Sequence, residues 1–179
     1  MFVLAQISGF IAWLTLLVSY YRKNTNKILV FHIISIFFYL LSYLFLGAWT
    51  GVFIIILELI RDFLYYKTNK DNIIFLCTIP IHIVLLVIYR NNIIEIIPVI
   101  ASLIEGFSLT KQKKIIVPGA IIVYSMWIIY DINVGAYTSA FTQFLIVLSN
   151  LFILINMIIG IKKVNYLKIN SRRSLQKKI

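Results

Sequence analysis

The sequence predicts an all-α, polytopic membrane protein with seven transmembrane helices. Hydrophobic residues make up 61% of the 179 positions, and charged residues make up only 13%. A soluble domain of this length has too small an interior to bury so much apolar surface. The apolar residues also fall into seven segments, each able to reach across about 30 Å of hydrocarbon with help from interfacial side chains.

The connections between these segments are too short to hold a soluble domain. The segments cover residues 2–21, 28–46, 50–66, 73–89, 93–109, 115–130 and 138–161. We therefore expect a single transmembrane bundle over residues 1–161, followed by a basic tail over residues 162–179. The lipid bilayer is its first partner, and the cell (inner or plasma) membrane is its expected location.

Basic residues lie on one side of this seven-span arrangement. All of the 17 except Arg61 and Arg90 fall in the first, third and fifth connections or in the tail. The positive-inside rule then predicts an N-terminus outside and a C-terminus in the cytoplasm. The net charge of +11 is thereby explained by topology, and no nucleic-acid partner is expected.

A short motif indicates an internal repeat. Gly47-Ala-Trp-Thr50 recurs 88 residues later as Gly135-Ala-Tyr-Thr138. This offset aligns the first three spans with the last three, which gives a repeat over 1–67, a linker helix over 73–89 and a second repeat over 93–161. Because the linker is a single span, both repeats insert with the same orientation, in a 3+1+3 parallel-repeat bundle. Substrate sites in such folds lie between the repeats, near mid-depth.

The third span carries the main candidate site. Glu58, Arg61 and Asp62 each cost about 2.5–3.5 kcal/mol at the centre of a lipid-facing helix. Their spacing places them on one helical face, so we expect that face to line a polar pathway. The alternative is a buried ion pair that only fixes helix packing.

Further candidates follow from the offset, which aligns Arg61 with Ser149 and Asp62 with Asn150. We expect the opposite wall of the pathway to be formed by the neutral side chains Gln143, Ser149 and Asn150. The offset also pairs Tyr39 with Trp127, which predicts one aromatic residue from each half across the substrate site. The candidate proton-coupling residues are Glu58, Asp62 and Glu105.

Other polar residues carry weaker signals. Glu105 could instead reach the membrane interface, and Glu95 and Asp131 are expected to be solvated near the outer boundary. His32 and His82 lie on different predicted helices, so no metal site is expected. The chain has one cysteine and no P-loop, HExxH, CxxC or GxGxxG motif, so we expect neither a cofactor nor an enzyme.

Several short motifs resemble the YgjV-like family of bacterial inner-membrane proteins. They are the opening Ala5, Gln6, Gly9 and Ala12, the pair Ile60-Arg61, the segment Ile97-Pro98-Val99-Ile100, and Trp127 followed by Gly135. The 3+1+3 plan is also similar to that of the SWEET/MtN3 sugar facilitators and the PnuC vitamin-precursor transporters. The first resemblance implies an architecture rather than a substrate.

Together these features predict a membrane transporter for a small polar solute such as a sugar, a vitamin precursor or an amine. It would act as a facilitator or by proton coupling, and a homo-oligomer is left open. The alternative is a non-transporting integral-membrane assembly or regulatory subunit.

Overall fold

The computed structural model describes residues 1–20, 25–68, 71–110 and 113–176. Within those ranges it describes the side chains except at positions 19–20, 25–29, 32, 65–66, 71, 113–114 and 160–176. The described residues form seven helices and no strand, which confirms the predicted all-α class.

The helices follow the seven apolar segments of the sequence. They are α1 (Phe2–Tyr20), α2 (Thr25–Leu46), α3 (Trp49–Thr68), α4 (Asp71–Ile88), α5 (Ile93–Leu109), α6 (Lys113–Val134) and α7 (Tyr137–Gln176). The last helix continues past the predicted span end at residue 161. Its 40 residues make it about 60 Å long, twice the hydrocarbon thickness of a bilayer.

Two of the described helices are long and apolar enough, by length and composition alone, to cross a membrane. They contain the stretches Ile115–Val134 in α6 and Tyr137–Ile159 in α7. Shorter apolar stretches occur in α1, α2 and α4, over Phe2–Val18, Ile33–Leu46 and Asn72–Ile88. Helix α3 is less apolar because it carries Glu58, Arg61 and Asp62.

The turns after α2 and α6 have the same structure. Gly47 and Gly135 have φ angles of 70° and 82°, a left-handed conformation that glycine adopts without steric cost. In both turns the next N–H, from Ala48 or Ala136, donates to a carbonyl five residues back. Helices α2 and α6 are also equally long, at 22 residues each, and their bounds differ by the same 88 residues.

The helix contacts follow the same shift. Helix α1 packs on α2 and α2 on α3, just as α5 packs on α6 and α6 on α7. The halves meet where α1 contacts α7 and where α3 contacts α5, and a shift of 88 residues exchanges these two interfaces. Helix α4 packs on α3 and α5.

Apolar side chains cover the outside of the bundle, and polar ones are concentrated inside it. Phe53, Ile56 and Ile60 form an exposed stripe on α3, whereas Arg61 is 1% exposed. This distribution is the reverse of that in a soluble bundle, and it is expected when the surrounding solvent is lipid.

Candidate functional site

A cavity lies between the two halves, with walls formed mainly by α2, α3, α6 and α7. Its volume is about 110 Å³. Typical small-molecule pockets measure about 300–1,000 Å³. This conformation therefore has room for a compact solute or a few water molecules, and not for a nucleoside.

Most of the lining comes in pairs whose members are 88 residues apart. The pairs are Ile36 and Tyr124, Tyr39 and Trp127, Ile55 and Gln143, and Glu58 and Ile146. Corresponding positions of the two halves thus face one space. In three of the four pairs one member is aliphatic and the other carries a polar group. The halves therefore share the cavity and contribute different chemistry to it.

The charged cluster lies at the end of the cavity formed by the later turns of α3 and by α5. Arg61 Nη2 donates to Glu105 Oε2 at 2.7 Å, and Arg61 Nε donates to Asp62 Oδ1 at 3.1 Å. The remaining amino group, Nη1, donates to the Ser102 carbonyl at 3.3 Å. Arg61 thereby joins α3 to α5 through a buried guanidinium that contacts two carboxylates.

Glu58 stands apart from these ion pairs. It lines the cavity one turn before Arg61 on α3, and its Oε1 is buried without a hydrogen-bond partner among the described residues. Gln143 on α7 also lines the cavity, and its buried Oε1 has no partner there either. Two acceptor oxygens from opposite halves are therefore available to a hydrogen-bond donor in this space.

The described lining carries three carboxyl groups, those of Glu58, Asp62 and Glu105, and no basic side chain. Arg61 lies behind the wall and supplies one positive charge. When all four groups are ionised, the cluster has two more negative charges than positive ones. Such a site attracts a cation and repels an anion.

Aromatic residues occupy the opposite end of the cavity. Tyr43 and Trp127 stack with ring centroids 5.9 Å apart, and Tyr130 contacts both rings edge-on or tilted. The Tyr130 hydroxyl accepts a hydrogen bond from the Gly51 N–H at 3.0 Å. The Tyr43 hydroxyl donates to Asp131 Oδ1 at 2.5 Å.

Most of the chain matches one family of known proteins. Residues 3–159 match the model of the Imp-YgjV family, which is described as bacterial inner membrane protein. The chain belongs to the Imp-YgjV family. No curated protein and no solved structure matches it. The family membership confirms the resemblance that the short sequence motifs indicated, and it makes the chain a bacterial inner membrane protein.

In this Imp-YgjV protein, six of the eight residues expected to bind substrate lie in or directly behind the wall of the cavity. Five line it, namely Glu58, Asp62, Gln143, Tyr39 and Trp127, and Arg61 pairs with two of its carboxylates. Tyr39 and Trp127 line the same space from the two halves. The third proton-coupling candidate, Glu105, also lines it.

Ser149 and Asn150 lie elsewhere. They line a separate cavity of about 320 Å³ between α1 and α7, and Asn150 Nδ2 donates to the Ile146 carbonyl at 2.9 Å. The reason is distance along the helix, since they lie about two turns beyond Gln143. The two cavities share Leu16 and Ile146 as walls.

The expectation that Asp131 is solvated is wrong. Asp131 is 0% exposed, and the hydroxyl of Tyr43 on α2 donates a hydrogen bond to it. One sequence signal was available, since the offset of 88 pairs Asp131 with Tyr43. Glu95 is half-buried and lines a groove between the start of α3 and the start of α5. His82 Nδ1 donates to the Thr78 carbonyl at 2.8 Å. The His32 side chain lies outside the described residues.

Proposed function

We propose that this family member is a multi-pass inner-membrane transporter that moves a small polar solute, as a facilitator or by proton coupling. The main support for this proposal is the cavity between the halves. It is lined by residues at corresponding positions of the two halves and by three carboxyl groups. Ionisable residues inside a membrane are costly, and they usually mark a substrate, ion or proton pathway.

The proposed topology is a 3+1+3 bundle with the N-terminus outside and the C-terminus in the cytoplasm. The repeated glycine turn, the equal lengths of α2 and α6 and the exchange of the two inter-half contacts under one shift all support it. This architecture is the basis of the likeness to the SWEET/MtN3 and PnuC transporters. In such folds the repeats move against each other around a central site.

Size and charge of the cavity narrow the solute class. Sugars, vitamin precursors and amines are all small polar solutes, and a compact amine fits the acidic lining best. Its ammonium group would approach Glu58 and Gln143, whose buried oxygens lack partners among the described residues. Tyr39 and Trp127 line the same space, and aromatic rings attract a cation.

A thermal-shift screen tests the proposal. Purified full-length protein in detergent is heated with amines, sugars, nucleosides and vitamins, because a specific ligand raises the melting temperature by mass action. Ligands that shift the melting temperature are then tested for saturable uptake into proteoliposomes. The proposal fails if no compound does both.

Variants localise the binding. Glu58→Gln keeps the shape of the side chain and removes its charge, so we expect at least a tenfold rise in the Kd of an amine ligand. That change corresponds to about 1.4 kcal/mol, close to the lower end of the range for a hydrogen bond to a charged group. Lys67→Gln is the matched control, because Lys67 is an exposed charge at the end of the same helix.

The alternative is a non-transporting assembly or regulatory subunit. Helix α4 supports it, since it packs on α3 and α5 and leaves a broad apolar face exposed, including Leu76, Ile83 and Val87. That face would contact a partner protein or a second copy. Recovery of a stoichiometric partner in a pulldown, together with a negative ligand screen, favours this function. Both functions leave the protein without enzymatic activity or cofactor.

A further inference from the structure

Asp131 is a buried acid that the binding cavity does not use. It is 0% exposed and lies three residues before the end of α6. Its Oδ1 accepts a hydrogen bond from the Tyr43 hydroxyl, and its Oδ2 is buried without a hydrogen-bond partner in the part of the chain that the structure describes. An ionised carboxylate held by one hydrogen bond in such a place is costly, whereas the neutral acid is not.

The groups around Asp131 do not compensate a negative charge. Its titratable neighbours are Tyr43 on α2 and Tyr130 on α6. Tyr43 in turn interacts with Tyr39, and Tyr130 interacts with Tyr89 and with Glu95 of α5. Helix α7 carries no charged residue between 137 and 159. On α3 the charges begin at Glu58, two turns beyond Gly51, whose N–H donates to Tyr130. These described neighbours are neutral or acidic.

We propose that Asp131 is a proton-binding site, with the proton on Oδ2 and the Tyr43 hydrogen bond on Oδ1. Both protonation states keep the bond from Tyr43, because a carboxylic acid accepts at its carbonyl oxygen as a carboxylate does. Binding and release then transfer one proton between Oδ2 and water, with no other bond changed.

The position of Tyr43 connects this site to the cavity. Its ring lines the cavity and stacks on Trp127, while its hydroxyl holds Asp131. The pair also joins corresponding positions of the two halves, 88 residues apart. A movement of one half against the other would change the packing around this pair and admit water to Oδ2. If the proposed transport function holds, Asp131 carries the coupled proton in addition to, or instead of, the cavity carboxylates.

Infrared spectroscopy tests the site without any transported solute. Full-length protein in lipid nanodiscs at neutral pH should show the carbonyl band of a protonated carboxylic acid, and that band should move to lower frequency in D₂O. Asp131→Asn should remove the part of the band that carbon-13 labelling of aspartate shifts, whereas a part due to the buried Glu58 would remain. Glu95→Gln, which changes the acid nearest along α5, should leave it in place. Tyr43→Phe should keep the band and shift its frequency, because only the hydrogen bond to Oδ1 is lost.

Isotope labelling keeps the test decisive if Asp131→Asn fails to fold. Carbon-13 in the carboxyl groups of aspartate shifts the band only if it belongs to Asp62, Asp71 or Asp131, and leaves it unmoved if it belongs to a glutamate. The proposal is overturned if the band is absent at neutral pH, if no part of it responds to aspartate labelling, or if Asp131→Asn folds and retains the part that aspartate labelling shifts. Because no solute enters this experiment, its failure is distinct from a failure of the ligand screen.

Discussion

The two interfaces between the halves are held together at opposite ends. At the start of α7, Gln6 of α1 donates from Nε2 to the Gly135 carbonyl at 2.6 Å and accepts from the Thr138 N–H at 3.0 Å. Toward the middle of α7 the same interface opens into the cavity of about 320 Å³ that Ser149 and Asn150 line.

The α3–α5 interface has the reverse arrangement. The start of α3 lies beside a groove of about 610 Å³, where Thr50 Oγ1 and Glu95 Oε2 have no hydrogen-bond partner among the described residues. Three turns further along α3, Arg61 joins Glu105 and the Ser102 carbonyl. The two interfaces correspond under the shift of 88 residues, and their polar side chains join the helices at different ends.

This difference has a direct meaning for the proposed transport cycle. A rocking movement between two states must loosen one contact region while another forms. Each interface here has one polar contact region and one unfilled space. The comparison therefore identifies Arg61 and Gln6 as the positions whose contacts a second conformation must change.

The largest expected effect comes from removing the ionic contact. Arg61→Met keeps much of the side-chain volume and leaves Glu105 and Asp62 without their cation. Breaking a buried pair from one side costs about 3–5 kcal/mol. Ser149→Ala, at the corresponding position of the second half, should cost less than about 0.5 kcal/mol because Ser149 is exposed. Unfolding of both variants in mixed micelles measures the two values, and equal losses would refute the asymmetry.

Equivalent substitutions at the two glycine turns should lower the free energy of unfolding by similar amounts. Gly47→Ala and Gly135→Ala both force a Cβ into the left-handed region, at a cost of about 1–2 kcal/mol each. Neither new methyl group clashes, since the nearest atom is 3.7 Å away at Gly135 and none lies within 4 Å at Gly47. The same unfolding assay should therefore give similar losses, and asparagine at either position should cost less. A loss confined to one turn would contradict a shared backbone plan.

Part of this arrangement was predictable from the sequence. The apolar segments predicted the seven helices, because helix formation in such segments follows from local hydrophobicity. The repeated glycine motif predicted two turns of the same structure, because a helix that ends in a left-handed residue favours glycine there. The face shared by Glu58, Arg61 and Asp62 followed from helical spacing. The partner of Arg61 did not, since the rotation of α5 that brings Glu105 to it is set by packing.

Burial of Asp131 escaped prediction for a related reason. A polar residue near the end of a membrane span is expected to contact solvent. Asp131 is buried instead, because the tertiary fold places Tyr43 against it. Ser149 and Asn150 likewise line a different cavity from Gln143, because successive turns of α7 face different helices. Offsets in a repeat identify corresponding positions, and they do not state whether both members of a pair reach the same cavity.

The smallest expected change in unfolding free energy concerns Thr50 and Thr138, two threonines at corresponding positions of the repeat. The Thr138 hydroxyl lies 3.1 Å from the side-chain oxygen of Gln6 and 3.2 Å from its carbonyl oxygen, and it donates to them. The buried Thr50 hydroxyl has no partner among the described residues. Thr138→Val loses a hydrogen bond between helices, and such bonds average about 0.6 kcal/mol in membrane proteins. Thr50→Val removes an unsatisfied polar atom at constant shape, so it should be neutral or stabilising. A loss at Thr50 as large as that at Thr138 would mean that the groove beside Glu95 holds a water or ligand bound to that hydroxyl, and the α3–α5 interface would then be fastened at both ends.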